Sequence, residues 1–292
     1  MAPATPATKR LRPWWNSRFL KAVRNNPFSV LGIVIILAFF VFAIYPQGFT
    51  RYDPELLSLR TRLLPPSSEH WLGTDQYGMD VFTRVIYGAR TTLYIVVVVL
   101  AIATGIGFVV GTVAGYFGGV VDEILMRFTD IIIAFPFLIL AIAVNAALGR
   151  GLLQTMLAVG FSWWPGYARL VRGQILAVKN EEYVTAARAL GGSNLRIMAR
   201  HVFRNSVDPI IVRVTLDIGL VALATSGLSF LGLGAAPPTP EWGRMVADGR
   251  DFLLDQWWIS TYPGLALFLV VVGFNLVGMI LRDWLDPSSV GR

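Results

Sequence analysis

The stretch Lys179–Ile211, KNEEYVTAARALGGSNLRIMARHVFRNSVDPII, is a polar, helix-patterned insert in a chain that is otherwise apolar. The 292 residues are 55% hydrophobic and 15% charged, with a mean hydropathy of +0.60. A soluble fold of this length cannot hide that much apolar surface, so the chain belongs in a bilayer. The insert then has to work at the membrane surface.

Outward from it, reading from charge to charge gives six uninterrupted windows: Asn25–Thr50, Thr91–Val121, Ile131–Gly149, Gly151–Ala168, Ile218–Pro240 and Gln256–Leu281. Each approaches the roughly 20 residues that a helix needs to cross about 30 Å of hydrocarbon. The expected fold class is therefore all-α, a polytopic transmembrane helical bundle. Lys9, Arg10, Arg12, Arg18, Lys21 and Arg24 precede the first window with no acid among them, which by the positive-inside rule holds the N-terminus in the cytoplasm. Counting from there gives six spans with both termini cytoplasmic, and it puts the Lys179–Ile211 insert inside. Its basic residues Arg172, Lys179, Arg188, Arg196, Arg200 and Arg204 outnumber Glu181, Glu182 and Asp208. The outer connection Glu241–Asp255 carries Glu241, Asp248, Asp251 and Asp255 against Arg244 and Arg250. The first window runs into Phe42, Tyr45, Pro46 and Phe49 rather than an Ala-x-Ala end, so it reads as an uncleaved anchor.

The division along the chain follows. Residues 1–24 form a basic cytoplasmic tail, 25–90 the first anchor and its outer loop, 91–287 the core, with a surface helical unit at 180–208, and 288–292 a C-terminal tail. Ala103, Gly107, Gly111, Gly115 and Gly119 recur every four residues, a ladder that lets another helix approach closely. Packing within the chain is favoured there over a subunit contact. Pro136 and Pro165 each remove a backbone donor and are expected to kink their helices. Arg213 and Asp217, and likewise Arg127 and Asp130, share helix faces and read as structural ion pairs rather than proton relays.

Several chemistries are excluded. The chain has no cysteine, hence no disulfide, iron–sulfur cluster or thiolate metal site. His70 and His201 are isolated, leaving no catalytic residue and no metal site to nominate. The net charge of +7 is spread by loop rather than gathered on one face, so the bilayer, not nucleic acid, accounts for it. The lysines Lys9, Lys21 and Lys179 follow no Gly-x-x-x-x-Gly run, so no loop is present to cradle nucleotide phosphates and no cofactor is called for.

Within the insert, Asn180 is suited to cap a helix whose first turn holds Glu181 and Glu182. Val184, Ala187 and Gly191, then Leu195, Met198 and Val202, trace one apolar edge. Gly191 and Gly192 supply the left-handed position that ends the first helix, and Ser193 or Asn194 can cap a second. Patterning leaves two readings open, an ordinary surface hairpin or a docking element for a cytoplasmic partner. Ala186 and Ala187 favour docking, because small side chains admit a partner's groove.

The segment Thr185-Ala186-Ala187, Gly191, His201-Val202-Phe203-Arg204 resembles the Glu-Ala-Ala loop of ABC importer permeases, with Thr185 in place of the leading Glu and Arg204 in place of the motif's Pro. His70–Arg90 (HWLGTDQYGMDVFTRVIYGAR), Gly115–Pro136 (GYFGGVVDEILMRFTDIIIAFP) and Gly227–Met245 (GLSFLGLGAAPPTPEWGRM) are similar to the C-type permeases of dipeptide, oligopeptide and nickel importers. The resemblance covers roughly residues 25 to 287. It implies a type I importer permease fold in a bacterial inner membrane and a peptide-transport role. ATPase coupling would fall to Glu181, Glu182, Thr185, Ala186, Ala187, Arg188, Gly191, Gly192 and His201. It also implies partners around the lipid-embedded subunit: a homologous permease, two cytoplasmic ATPase domains and an extracytoplasmic substrate-binding protein. Residues Ala235–Asp255, broken by Pro237, Pro238 and Pro240, are expected to meet the partner permease or the binding protein, with Trp242 at the interface. Nickel or another small solute is the alternative cargo. An ion-coupled transporter using Asp217 or Asp130 is the rival mechanism.

Overall fold

A computed structural model of the chain describes residues 28–179, 181–191 and 203–285. Nine α-helices appear among them: α1 (Phe28–Ile44), α2 (Val81–Phe117), α3 (Gly119–Ala134), α4 (Phe137–Leu148), α5 (Leu152–Val178), α6 (Glu182–Ala189), α7 (Phe203–Phe230), α8 (Trp242–Gly249) and α9 (Trp258–Leu285). The all-helical class is as the composition requires. The α2 and α9 helices are long and apolar enough to cross a bilayer, and α3 with α4 makes a third such unit if its 94° bend is counted within one span. The 17 residues of α1 reach about 25 Å, short of the hydrocarbon thickness.

The helices extend past the charges that bounded the sequence windows, and each crossing has a visible reason. Starting at Val81 rather than Thr91, α2 is capped by Asp80, whose carboxylate accepts from Thr83 N at 2.8 Å. It runs through Arg84 and Arg90 because both guanidinium groups are satisfied. Arg84 donates to the carbonyls of Pro54 and Pro238 at 2.8 Å and lies 3.4 Å from Asp75, while Arg90 donates to the free terminal carbonyls Ala43 and Ile44 of α1. In the same way α5 continues past Arg169 and Arg172, and α7 begins well before Ile218, carrying Arg213 and Asp217 inside it.

Pro136 breaks its segment completely, since α3 stops at Ala134 and α4 leaves at 94°. Pro165, by contrast, lies inside a continuous α5. The left-handed Gly118 (φ 66°) turns the chain out of α2 into α3.

The centre of the bundle is the α2–α5 contact. A Cβ built on Gly107 would lie 2.4 Å from Tyr167 Cβ, one on Gly111 2.5 Å from the Ala168 carbonyl, and one on Gly115 2.8 Å from Ile175 Cβ. Only hydrogen at those positions permits this approach. Gly119 does not belong to the ladder. It opens α3 at φ 55° with nothing near its Cβ position, because the turn at Gly118 has already carried the chain away from α5. Val99, Ala103, Val159, Trp164, Tyr167 and Val171 form the buried middle, and Phe39, Phe274 and Trp242 join α1, α9 and α8 to it through ring contacts.

Candidate functional site

At one end of the bundle α5 passes into α6. Lys179 Nζ donates to the Gly115 carbonyl at 2.8 Å, fixing the end of α5 to the last glycine rung of α2. The carbonyl of Glu181 accepts from Val184 N and Thr185 N, starting the eight-residue α6, and Thr185 Oγ1 also bonds back to it at 3.3 Å. Val184 is fully buried and belongs to the main core. Around that single anchor, Glu181, Glu182, Tyr183, Thr185, Ala186, Ala189 and Gly191 are exposed, and Leu190 is 88% exposed. Among the described side chains the expected apolar edge is buried at Val184, while Gly191 stands outside at φ 80° with no described atom within 4 Å of a Cβ position. Ala187 and Arg188 lie on α6. Gly192, His201 and the second helix expected from Ser193 onward fall outside the described residues.

Beside this unit, α3 is clamped onto α5 by two ion pairs. The Arg172 guanidinium meets both oxygens of Asp122 at 2.5 and 2.6 Å, and Arg169 meets Asp130 at 2.6 Å. Asp130 therefore pairs across helices and not with Arg127, which lies 3.7 Å from Glu123 instead. These partners are 39 and 50 positions apart, so helix spacing could not reveal them. The Arg213–Asp217 pair forms on one face of α7 at 2.9 Å, and Trp163 Nε1 donates to the same carboxylate oxygen at 2.9 Å.

The opposite end is built from residues 51–80 and the segment after α7. His70 Nδ1 lies 2.9 Å from Asp80, inside the cap of α2, a structural role. Asp75 accepts from Tyr77 N and Met79 N, and burial pushes its carboxyl above the usual range while Arg84 pulls it back. Trp242, expected at the interface, is buried, and so is Glu241 of the outer connection. The Glu241 carboxylate caps α8 by accepting from Gly243 N and Arg244 N, and burial raises its pKa against those hydrogen bonds. Trp242 Nε1 donates to the Val85 carbonyl at 2.9 Å with Gly88 beneath the ring, so the segment is locked onto α2. Exposed are Ala236, Pro237 and Pro238 before α8 and Arg250, Asp251, Leu253, Leu254 and Asp255 after it, Leu254 at 97%.

Residues 107–290 match the binding-protein-dependent transport system inner membrane component family. The chain belongs to that family. This permease is 43% identical to a probable D,D-dipeptide transport system permease of Escherichia coli (strain K12), over 98% of its own length and 97% of the relative's. It is 41% identical to a dipeptide transport system permease of Alkalihalophilus pseudofirmus, covering 94% and 90%, and 40% identical to the nickel transport system permease of Escherichia coli (strain K12), covering 89% and 94%. It is a transport subunit of the inner membrane without an ATPase site of its own. The match spans the glycine ladder, the α3–α5 clamps, α6 and α8 together, so these are parts of one transport module.

Proposed function

We propose that this permease forms half of the translocation pathway of an ATP-driven importer of dipeptides or oligopeptides. In this reading the chain crosses the inner membrane six times with both termini cytoplasmic. A homologous permease completes the pathway, two ATPase domains dock on the α6 side, and a substrate-binding protein delivers solute to the α8 side.

The observation that carries the reading is α6 itself: among its described side chains, Val184 is buried beneath an open face that carries Glu182, Thr185 and Ala186. A short helix seated through Val184, at a junction that Lys179 ties back to the glycine ladder, can pass a push from a docked partner into α2 and α5. Glu181, Glu182, Thr185, Ala186, Ala187, Arg188, Gly191, Gly192 and His201 are the proposed coupling residues. Peptide cargo is favoured by the relatives named for dipeptides, D,D-dipeptides and oligopeptides. A nickel permease at 40% identity keeps metal cargo as the second reading. At the outer side, exposed Leu253 and Leu254 are the proposed contact within Ala235–Asp255.

Co-expression with candidate ATPase subunits tests this directly. The permease should co-purify with an ATPase, and uptake should stop on ATP depletion with the ion gradient held. Uptake that follows the ion gradient, with no ATPase captured, would return the ion-coupled mechanism.

A further inference from the structure

Arg213 is half exposed, although it sits about 15 Å along α7 from Phe203. Its neighbour Tyr167 lies about 16 Å along α5 from Val178. Nε of Arg213 is held at 2.9 Å by Asp217, whose side chain is 2% exposed and also accepts from Trp163. A carboxylate with two donors in a buried setting does not swing, so it aims the guanidinium. The two terminal nitrogens have no hydrogen-bond partner among the described residues. One of them stands 4.0 Å from where a Cβ would rise on Gly166, an exposed position of α5.

An arginine on a helix face that runs on with apolar residues, with two nitrogens free among the described residues, finds no acceptor among lipid chains. A face turned into the protein assembly supplies such an acceptor. Along α7 the same stripe continues with exposed Leu220, Leu223 and Gly227. We propose that Arg213, aimed by Asp217, is an anion-attracting contact on the pathway-facing α5–α7 surface, suited to a carboxylate of the passing solute. The assignment rests on the importer reading above and adds the pathway face and the ligand chemistry to it.

A planar guanidinium fork matches a carboxylate in two parallel hydrogen bonds. Asp217 already compensates the charge of Arg213, so the arginine needs no acid from a partner subunit to be tolerated. The same compensation moderates its hold on an anion, which suits a contact that solute must leave as readily as it enters. The apolar stripe beyond it accommodates side chains of a carboxylate-bearing peptide.

The absence of cysteine makes the test clean. Gly166→Cys in the assembled transporter is modified with the anionic 2-sulfonatoethyl and the cationic 2-trimethylammonioethyl methanethiosulfonates, and the label is read by the mass of this subunit. Leu220→Cys is the second position should Gly166→Cys assemble poorly. The anionic-to-cationic rate ratio should fall in the Arg213→Gln/Asp217→Asn background, which trades an exposed cation and its buried acid for neutral groups, by severalfold rather than by the full effect of one uncompensated charge. Arg213→Lys should keep most of the preference. Failure of both reagents to react at either position would place the face against lipid or packed protein and overturn the proposal. An unchanged ratio, as a neutralising acid on the partner would give, overturns it too. ATP hydrolysis of the same preparations reads the importer assignment separately, since cysteine reactivity does not depend on it.

Discussion

Arg172 of α5 and Asp122 of α3 meet as two forks, with two guanidinium nitrogens on two carboxylate oxygens at 2.5 and 2.6 Å. The carboxylate is 16% exposed and the arginine 35%, so water screens the pair only partly. Asp122→Ala should cost about 1 to 2 kcal/mol, between the values for exposed and buried pairs. Its apparent thermal midpoint in detergent should drop, and Asp122→Arg/Arg172→Asp should recover part of the loss. Equal midpoints for Asp122→Ala and parent would show that α3 is held without the pair.

The glycine ladder makes a sharper contrast. Gly111→Ala puts a Cβ 2.5 Å from the Ala168 carbonyl, a backbone atom that cannot swing aside, whereas Gly105 of the same helix has nothing within 4 Å. Overpacking of this kind costs roughly 1 to 3 kcal/mol. Gly111→Ala should lower yield and thermal midpoint, and Gly105→Ala should match the parent or exceed it slightly, alanine being the better helix former. Similar behaviour of the two would mean that α2 and α5 are not in contact at Gly111.

Gly191→Val addresses α6. Its φ of 80° is a left-handed position, where a β-branched residue costs roughly 1 to 2 kcal/mol. No atom of the described residues lies within 4 Å of the new Cβ, which leaves room for a docked partner to meet it. Membrane insertion should be normal while ATPase capture and uptake fall together. A variant that captured its ATPase and transported at the parental rate would remove Gly191 from the coupling unit.

How far the sequence reached is visible residue by residue. Windows bounded by charges located the apolar stretches but cut α2, α5 and α7 short, because Arg84, Arg90, Arg169, Arg172 and Arg213 each find an acid or a free carbonyl and remain helical. Spacing along one helix revealed Arg213 with Asp217. It misassigned Asp130, whose partner Arg169 lies 39 positions on. Glu241, counted among the acids of the outer connection, is buried instead, its partners being backbone N–H groups of α8, which side-chain identity does not announce. The four-residue glycine repeat was legible up to Gly115 and misleading at Gly119, where the turn supersedes the helix period.

Topology can be read by fusion. A reporter after Gly192 should signal cytoplasm and one after Ser68, in the exposed loop before α2, the outer side. Reversed signals would turn α6 away from any cytoplasmic ATPase.

The buried Glu241 gives stability a pH dependence of definite sign. Burial raises its folded carboxyl above the ordinary value of 4.5. Below that value both folded and unfolded chains hold the proton, and the group contributes no slope. As pH rises through the window from 4.5 to the raised folded pKa, the unfolded chain releases its proton first, so stability falls and stays reduced above the window. Glu241→Gln cannot ionise and loses that slope, though its single carbonyl oxygen can no longer serve Gly243 N and Arg244 N with separate oxygens. The thermal midpoint of the parent should therefore decline more steeply than that of Glu241→Gln as pH is raised from 4.5, with the gap between them shifting in favour of the variant. Parallel profiles would mean that Glu241 reaches water and that α8 is not seated on α2 as Trp242 places it.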